Sequence, residues 1–402
     1  MRAYSTSSEE TLRARKLLKE WVGEGFLSQE QYQHLEQETV SEVRTTNIFL
    51  RLVLLLFSLI IVGAAVALFF VVFFSHPSEQ TVGVFLLIGA ALCYAAAEVA
   101  VSQFRFYRYG IEEALVICSV GFLCVGIEAA FFSGHYSPAP DRAQCLIPAA
   151  GAFFSFWIWR RFGLWYAFPA AMIFAVFLPG YWTISHSVQH VMVAAGYSIG
   201  LMVIGAIRSR HRDDYLKDTY SLAEAFLWLG IYLAINLKLS SLDLPVQRWW
   251  VGHGGTLSQF GRPFYWSTWA LIWCVPAVVL VRGLRLKDRY VIAVGAIVAI
   301  LTLISNKPYL GWQRRTWDPM FLGILLAGVA LLTRRWLARG PGGIRDGFIA
   351  ARLSGKDKHW MNASSSVLGL VSPQSVTPSS PATPEFRFGG GSSGGGGASS
   401  DF

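Results

Sequence analysis

Ten apolar stretches divide this chain, at roughly residues 48–74, 81–101, 111–134, 143–159, 162–182, 187–207, 221–240, 264–281, 289–305 and 318–337. A helix rising ~1.5 Å per residue needs ~20 apolar residues to cross ~30 Å of hydrocarbon, and most of the stretches approach that length. In lipid every backbone polar group must be satisfied internally, so such segments are helices. The pattern predicts an all-α polytopic membrane helical bundle of about ten transmembrane helices, eight at fewest. Hydrophobic residues make up 53% of the chain and charged ones 15%, which sets it apart from an ordinary soluble domain.

The charges between the stretches give an orientation. If the first span starts in the cytoplasm, 27 of the 34 Lys and Arg residues fall in the inner segments, and the outer loops keep Arg142, Lys238, Arg248, Arg262, Lys307, Arg314 and Arg315. Cationic loops resist translocation, so the bias predicts both termini inside and an even number of spans. The net charge of +9 is accounted for by cations beside the spans, next to anionic lipid, and nucleic acid is excluded as a partner. No cleavable signal opens the chain, because residues 1–47 are mostly polar. The expected division is a cytoplasmic helical hairpin in 1–47, a transmembrane domain in 48–337 and a cytoplasmic Gly/Ser/Pro-rich disordered tail in 338–402.

The hairpin reads from local chemistry. Leu17, Leu18, Trp21 and Val22 repeat at helical spacing, Gly25 ends one helix, and Ser28 with Gln31 forms a capping box for the next. So small a unit cannot bury its own core, so it docks on the membrane domain, on a second copy or on a protein partner. The run LLKEWVGEGFLSQEQYQHLEQE, residues 17–38, resembles the opening of a bacterial membrane-protein family known as domain of unknown function 2157, with Trp21, Gly25, Phe26, Leu27, Ser28 and Gln31 as the matching positions. In that family such a hairpin precedes a series of hydrophobic spans. The resemblance implies a multi-pass protein of the bacterial cytoplasmic membrane and supplies no catalytic residue. In the tail, Ile344, Phe348, Ile349 and Leu353 beside Arg345 and Arg352 suggest one amphipathic helical turn.

Aromatic residues mark the membrane surfaces, with Trp157, Trp159, Trp165 and Tyr166 at the inner edge and Tyr181, Trp182, Trp312 and Trp317 at the outer. Trp266, Trp269 and Trp273 form a packing stripe. Cys93, Cys118, Cys124, Cys145 and Cys274 lack a CxxC pair and read as small buried hydrophobes. Gly89, Cys93 and Ala97, and Gly196 with Gly200, offer small faces for close helix approach.

Carboxylates within spans are costly and ask for partners. Glu98, Glu112, Glu113 and Glu224 lie near the inner ends, where Arg105 and Arg108 can neutralise the first three. Glu128 lies ~23 Å along the helix from Glu113 and about 60° around it, so the third span is acidic at both ends. Glu128, with Glu113 and Glu98, is the candidate ion- or solute-binding set. His186 and His190, at i and i+4, are the candidate metal ligands, with His135, Asp141 or His253 as a third donor; His76 lies at the same side. The Glu of HExxH is missing, as are a phosphate loop and a GxSxG elbow, and no cofactor is implied. The function expected is an integral membrane protein, leaning away from catalysis, that binds or translocates a small solute or ion. The alternative is an envelope scaffold or sensor that recruits a partner through the hairpin, and an intramembrane metal-dependent enzyme comes third. Beyond the lipid bilayer, the expected partner is a protein or a second copy held by the hairpin.

Overall fold

Each of the ten apolar stretches carries a helix in the computed structural model, which describes residues 3–4, 6–23, 25–39, 43–44, 46–73, 78–132, 142–210, 217–237, 239, 260–309, 317–340, 344–345 and 348–349. The described helices are α1 (Thr6–Gly23), α2 (Gln29–Glu38), α3 (Ile48–Phe73), α4 (Glu79–Ser102), α5 (Ile111–Phe131), α6 (Leu146–Phe162), α7 (Ala167–Phe177), α8 (His186–Arg210), α9 (Lys217–Ile235), α10 (Arg262–Leu286), α11 (Arg289–Tyr309) and α12 (Asp318–Ala338). Six of them, α3, α4, α5, α8, α10 and α11, are long and apolar enough to cross a membrane. The chain is a multi-pass helical membrane protein.

The fifth stretch departs from its predicted span. Its helix α7 stops at Phe177, and Leu178–Tyr181 continues as a tight 3-10 turn around Pro179. Proline has no backbone N–H to continue the helical ladder, and 11 helical residues cover only about 17 Å. The turn at Arg142–Cys145 touches the one at Leu178–Tyr181.

Two compact units make up the chain: Met1–Lys19 with Gln29–Ala330, and Glu20–Ser28 with Leu331–Phe402. In the larger unit α4 packs most extensively on α5, α8 on α9, α10 on α11 and α6 on α7, with α9 also meeting α7, α10 and α11. The α4–α5 pair approaches so closely that a Cβ on Gly83 would stand 2.2 Å from the Ala130 backbone N. Of the small faces expected to set such approaches, Ala97 is fully buried and Gly200 lies close against Leu227, whereas Gly89 has ordinary contact with Phe122 and Gly196 faces open space. Span α3 has no buried residue, so its apolar surface is left for lipid.

The core sits where α6, α8, α9, α10 and α11 converge, around Ile158, Phe162, Tyr232, Ile272, Val279 and Val291. Trp159 and Tyr166, expected at the lipid interface, belong with this core instead: Trp159 is buried against Phe168 and Tyr220, and the Tyr166 hydroxyl is buried. Trp157 and Trp165 do face outward, as do Trp266 and Trp273 of the stripe, while Trp269 donates from its indole N–H to Asn306 Oδ1 at 3.3 Å. Four of the cysteine thiols are half-buried and Cys274 is exposed, and all five are free.

Deep between α9, α10 and α11 lies a polar layer. Asn236 Nδ2 donates to Tyr232 Oη at 2.8 Å and to Ser305 Oγ at 2.9 Å, and Thr302 Oγ1 donates to the same phenol at 2.9 Å. All four residues are buried. Interhelical bonds of this kind average ~0.6 kcal/mol each in membranes, so the layer sets register more than it adds stability.

In the smaller unit the first helix ends as predicted. Gly25 takes φ +80°, its N–H reaches Val22 O at 3.1 Å and Phe26 N–H reaches Trp21 O at 2.9 Å. The expected helical turn near residue 344 is replaced by a two-stranded antiparallel hairpin, β1 (Ile344–Arg345) and β2 (Phe348–Ile349), pairing Ile344 with Ile349. The Asp346-Gly347 dipeptide is a strong hairpin signal that outweighs the four-residue apolar spacing. The rest of the tail, from residue 350, lies outside the described residues, as do the loop residues His76, His135, Asp141 and His253.

Candidate functional site

The charged chemistry of the larger unit gathers at one end of the bundle, here the near end, where α3, α5, α9 and α11 begin and α4, α6, α8 and α10 finish. A fork of two bonds joins Arg51 of α3 to Glu113 of α5, one from Nε to Oε2 at 3.1 Å and one from Nη2 to Oε1. Arg161 at the end of α6 forks onto Glu98 of α4 at 2.7 and 2.9 Å, and Tyr94 donates to the same carboxylate at 2.9 Å. Arg208 of α8 bonds both Glu224 of α9, at 2.6 Å, and Asp288, and Glu224 also accepts from Arg282 of α10. Asp288 completes its shell with Ser221 and with the Tyr290 N–H at 3.0 Å, which caps the start of α11. Glu113, Glu224 and Asp288 are almost wholly buried, and each is matched by a guanidinium.

The predicted neutralisers were therefore the wrong cations. Arg105 and Arg108 lie in the α4–α5 loop at φ +55° and +51°, while Arg161 and Arg51 hold Glu98 and Glu113. The bundle brings α3 and α6 beside α5 and α4, a juxtaposition that sequence distance hides. Glu112 differs from its neighbour: Oε1 accepts from the Tyr109 N–H at 2.6 Å, and Oε2 is buried with no partner among the described residues.

The amino-terminal segment closes over this end. Tyr4 is a core residue stacked edge-on against Tyr107 at 4.7 Å, and the Ala3 N–H donates to Arg161 O at 2.7 Å. Arg13 of α1 pairs with Asp218 of α9. Arg44 lies alongside Phe106 in a parallel bridge, its N–H reaching Arg105 O at 2.9 Å and its carbonyl accepting from the Tyr107 N–H at 3.1 Å. These contacts dock residues 3–4, Arg13 and Arg44 on the membrane domain, one of the three docking possibilities for the hairpin.

Burial, and then the charge of Glu112, hold the Tyr4 phenol well above its ordinary pKa of 10.0. Because the docked state prefers the protonated phenol, this contribution is fully present below pH ~10 and is lost as pH rises through the raised value. Hydrogen exchange of residues 3–19 should accelerate in alkali as a result. The Tyr4 hydroxyl has no partner among the described residues, so Tyr4→Phe should leave docking intact and shift that acceleration to higher pH. Tyr4→Ala should undock the segment, at about 3–5 kcal/mol for a large aromatic truncation.

The candidate residues are not brought together. Glu98 and Glu113 belong to separate ion pairs at the near end, whereas Glu128 is exposed in the last turn of α5, within electrostatic range of Tyr181 at the far end. His186 Nδ1 lies 3.3 Å from Gln189 Oε1, and buried His190 Nδ1 lies 2.6 Å from Ala234 O, with its ring against Phe260. Among the described residues no group of three or more His, Cys, Asp or Glu stands close enough to hold a metal ion. Sequence reasoning counted Arg208 and Arg282 only among the inner-segment cations and passed over Asp288. Their signal was present in the burial that Glu224 must undergo on an otherwise apolar helix.

A cavity of about 250 Å³ opens beside these contacts, lined by Arg108, Trp159, Trp165, Phe168, Asp218 and Phe226, among others. Two of the amino-terminal segment's attachments flank it: Arg13 on Asp218, and Arg44 on the loop that carries Arg108. Comparison with protein-family models, with curated proteins and with solved structures finds no match.

Proposed function

We propose that this protein is a sensor or scaffold of the bacterial cytoplasmic membrane, with about ten spans and both termini in the cytosol, whose amino-terminal hairpin answers to what the near end of the bundle binds. The observation that carries the reading is the hold of Arg13 on Asp218 in the wall of the near-end cavity and of Arg44 on the loop that supplies Arg108 to it. The charge bias of the loops supports the orientation, which puts the near end in the cytosol. Counting α7 with its following turn as a span of about 25 Å supports the even number. Kinship with the domain of unknown function 2157 family rests on residues 17–38, and with it the bacterial location.

Arg44→Pro tests the clamp, because proline removes the N–H that bonds Arg105 O. Hydrogen exchange should rise across residues 6–19 while α4 and α5 keep their protection. Unchanged exchange in α1 would sink the sensing role.

Glu128 supports a second reading, in which the bundle binds or passes a small ion. Among the described residues no cation pairs with it, unlike Glu98, Glu113 and Glu224. On the sensor reading, Glu128→Gln leaves cation flux into reconstituted vesicles unchanged; a several-fold loss of a measurable flux would favour translocation instead.

A further inference from the structure

We propose that the near-end cavity binds a phosphate-bearing anion through Arg108, either the headgroup of an acidic lipid or a soluble phosphate ester. The lining contains one acid, Asp218, and Arg13 already pairs with it. Arg108 has no carboxylate partner among the described residues; its Nη2 reaches Gly163 O at 3.5 Å and its guanidinium lies 5.5 Å from the Tyr107 ring centre. A guanidinium offers five donors in a planar fork that matches phosphate oxygens, and most of that capacity is uncommitted here.

A second cation stands at the rim. Arg289 lies over the Tyr290 ring at 4.9 Å and donates to its hydroxyl at 3.1 Å, and Tyr290 is itself part of the lining. Trp159, Trp165, Phe168 and Phe226 line much of the remaining wall, with half-exposed Trp165 stacked on Phe226 at 6.3 Å, which suits the glycerol and upper acyl carbons of a lipid. Basic pockets between helices at a membrane surface are the places where acidic headgroups dock.

The loop backbone points the same way. Arg105 and Arg108 both sit in the left-handed region, a conformation that non-glycine residues rarely adopt. The Arg44 bridge holds the loop there, so the strain is maintained by the amino-terminal segment. Ligand binding stands on the cavity alone, and only its consequence for the hairpin rests on the sensing reading.

The test uses the full-length protein in dodecyl maltoside, titrated with dioctanoyl phosphatidylglycerol, glycerol 3-phosphate and dioctanoylglycerol while native mass spectrometry follows occupancy. Saturable binding of phosphatidylglycerol, weakened at least tenfold in Arg108→Gln and unchanged in Arg142→Gln at the far end, supports the site. If glycerol 3-phosphate binds with the same dependence on Arg108, the ligand can be soluble; if it does not, the source is lipid. Arg289→Gln changes an exposed side chain and should cost a few-fold even if Arg108→Gln folds poorly. No saturation by either phosphate compound, equal binding of dioctanoylglycerol, or full affinity in both arginine variants overturns the proposal. Hydrogen exchange of residues 6–19 in the same samples separates the two ideas: binding without a change there sinks the sensing reading and leaves the site standing.

Discussion

Arg208→Ala should be among the most damaging single substitutions in the larger unit. The guanidinium bonds Glu224 and Asp288 together, and with it gone Glu224 keeps Arg282 while Asp288 keeps only neutral donors. Removing one partner from a buried ion pair costs about 3–5 kcal/mol, because the group left behind stays desolvated. Thermal unfolding in detergent should show the loss directly. Arg208→Lys should recover only part, since a point charge cannot span two carboxylates as a fork does. Pairing Arg208→Met with Asp288→Asn should also recover part of it, because the orphaned charge is then absent.

The second large effect is expected at Gly110. Its φ of +107° disfavours any side chain, and a Cβ there would stand 2.3 Å from Arg51 O of α3. Gly110→Ala therefore imposes backbone strain and pushes α3 away, together on the order of 3 kcal/mol. It should also pull Arg51 from Glu113, leaving a buried carboxylate uncompensated. Because α3 buries no residue of its own, this junction is one of its main described holds on the bundle, together with Phe69 and Phe70 packed on Phe85 of α4. A disulfide engineered between α3 and α5 should form readily in the parent protein and poorly in the variant.

Much of the architecture was legible in the sequence, because membrane helices follow a local rule. Runs of apolar residues predicted all ten helical segments, and Gly25 and Ser28 marked the hairpin's turn correctly, with α2 starting at Gln29. The failures are tertiary. That Glu98 belongs to Arg161 and Glu113 to Arg51 depends on which helices are neighbours, which hydropathy does not encode. The polar layer of Tyr232, Asn236, Thr302 and Ser305 left a fainter trace, the i, i+3 spacing of Thr302 and Ser305 on one face of an apolar helix. The cavity at Arg108 was invisible for a further reason: its walls come from α6, α7, α9 and the start of α11 with the α4–α5 loop, and its neutralised acid depends on a contact from α1.

Both the sensing role and the anion site need the near end to face the cytosol, and cysteine accessibility measures that directly. In a variant with its five native cysteines replaced, single cysteines would be placed at Ser78 and Ser185 at the far end and at Gln103 and Lys287 at the near end. A membrane-impermeant maleimide added to intact cells should label positions 78 and 185 at once and positions 103 and 287 only after lysis. Labelling of 103 or 287 in intact cells, with 78 and 185 protected, would contradict it.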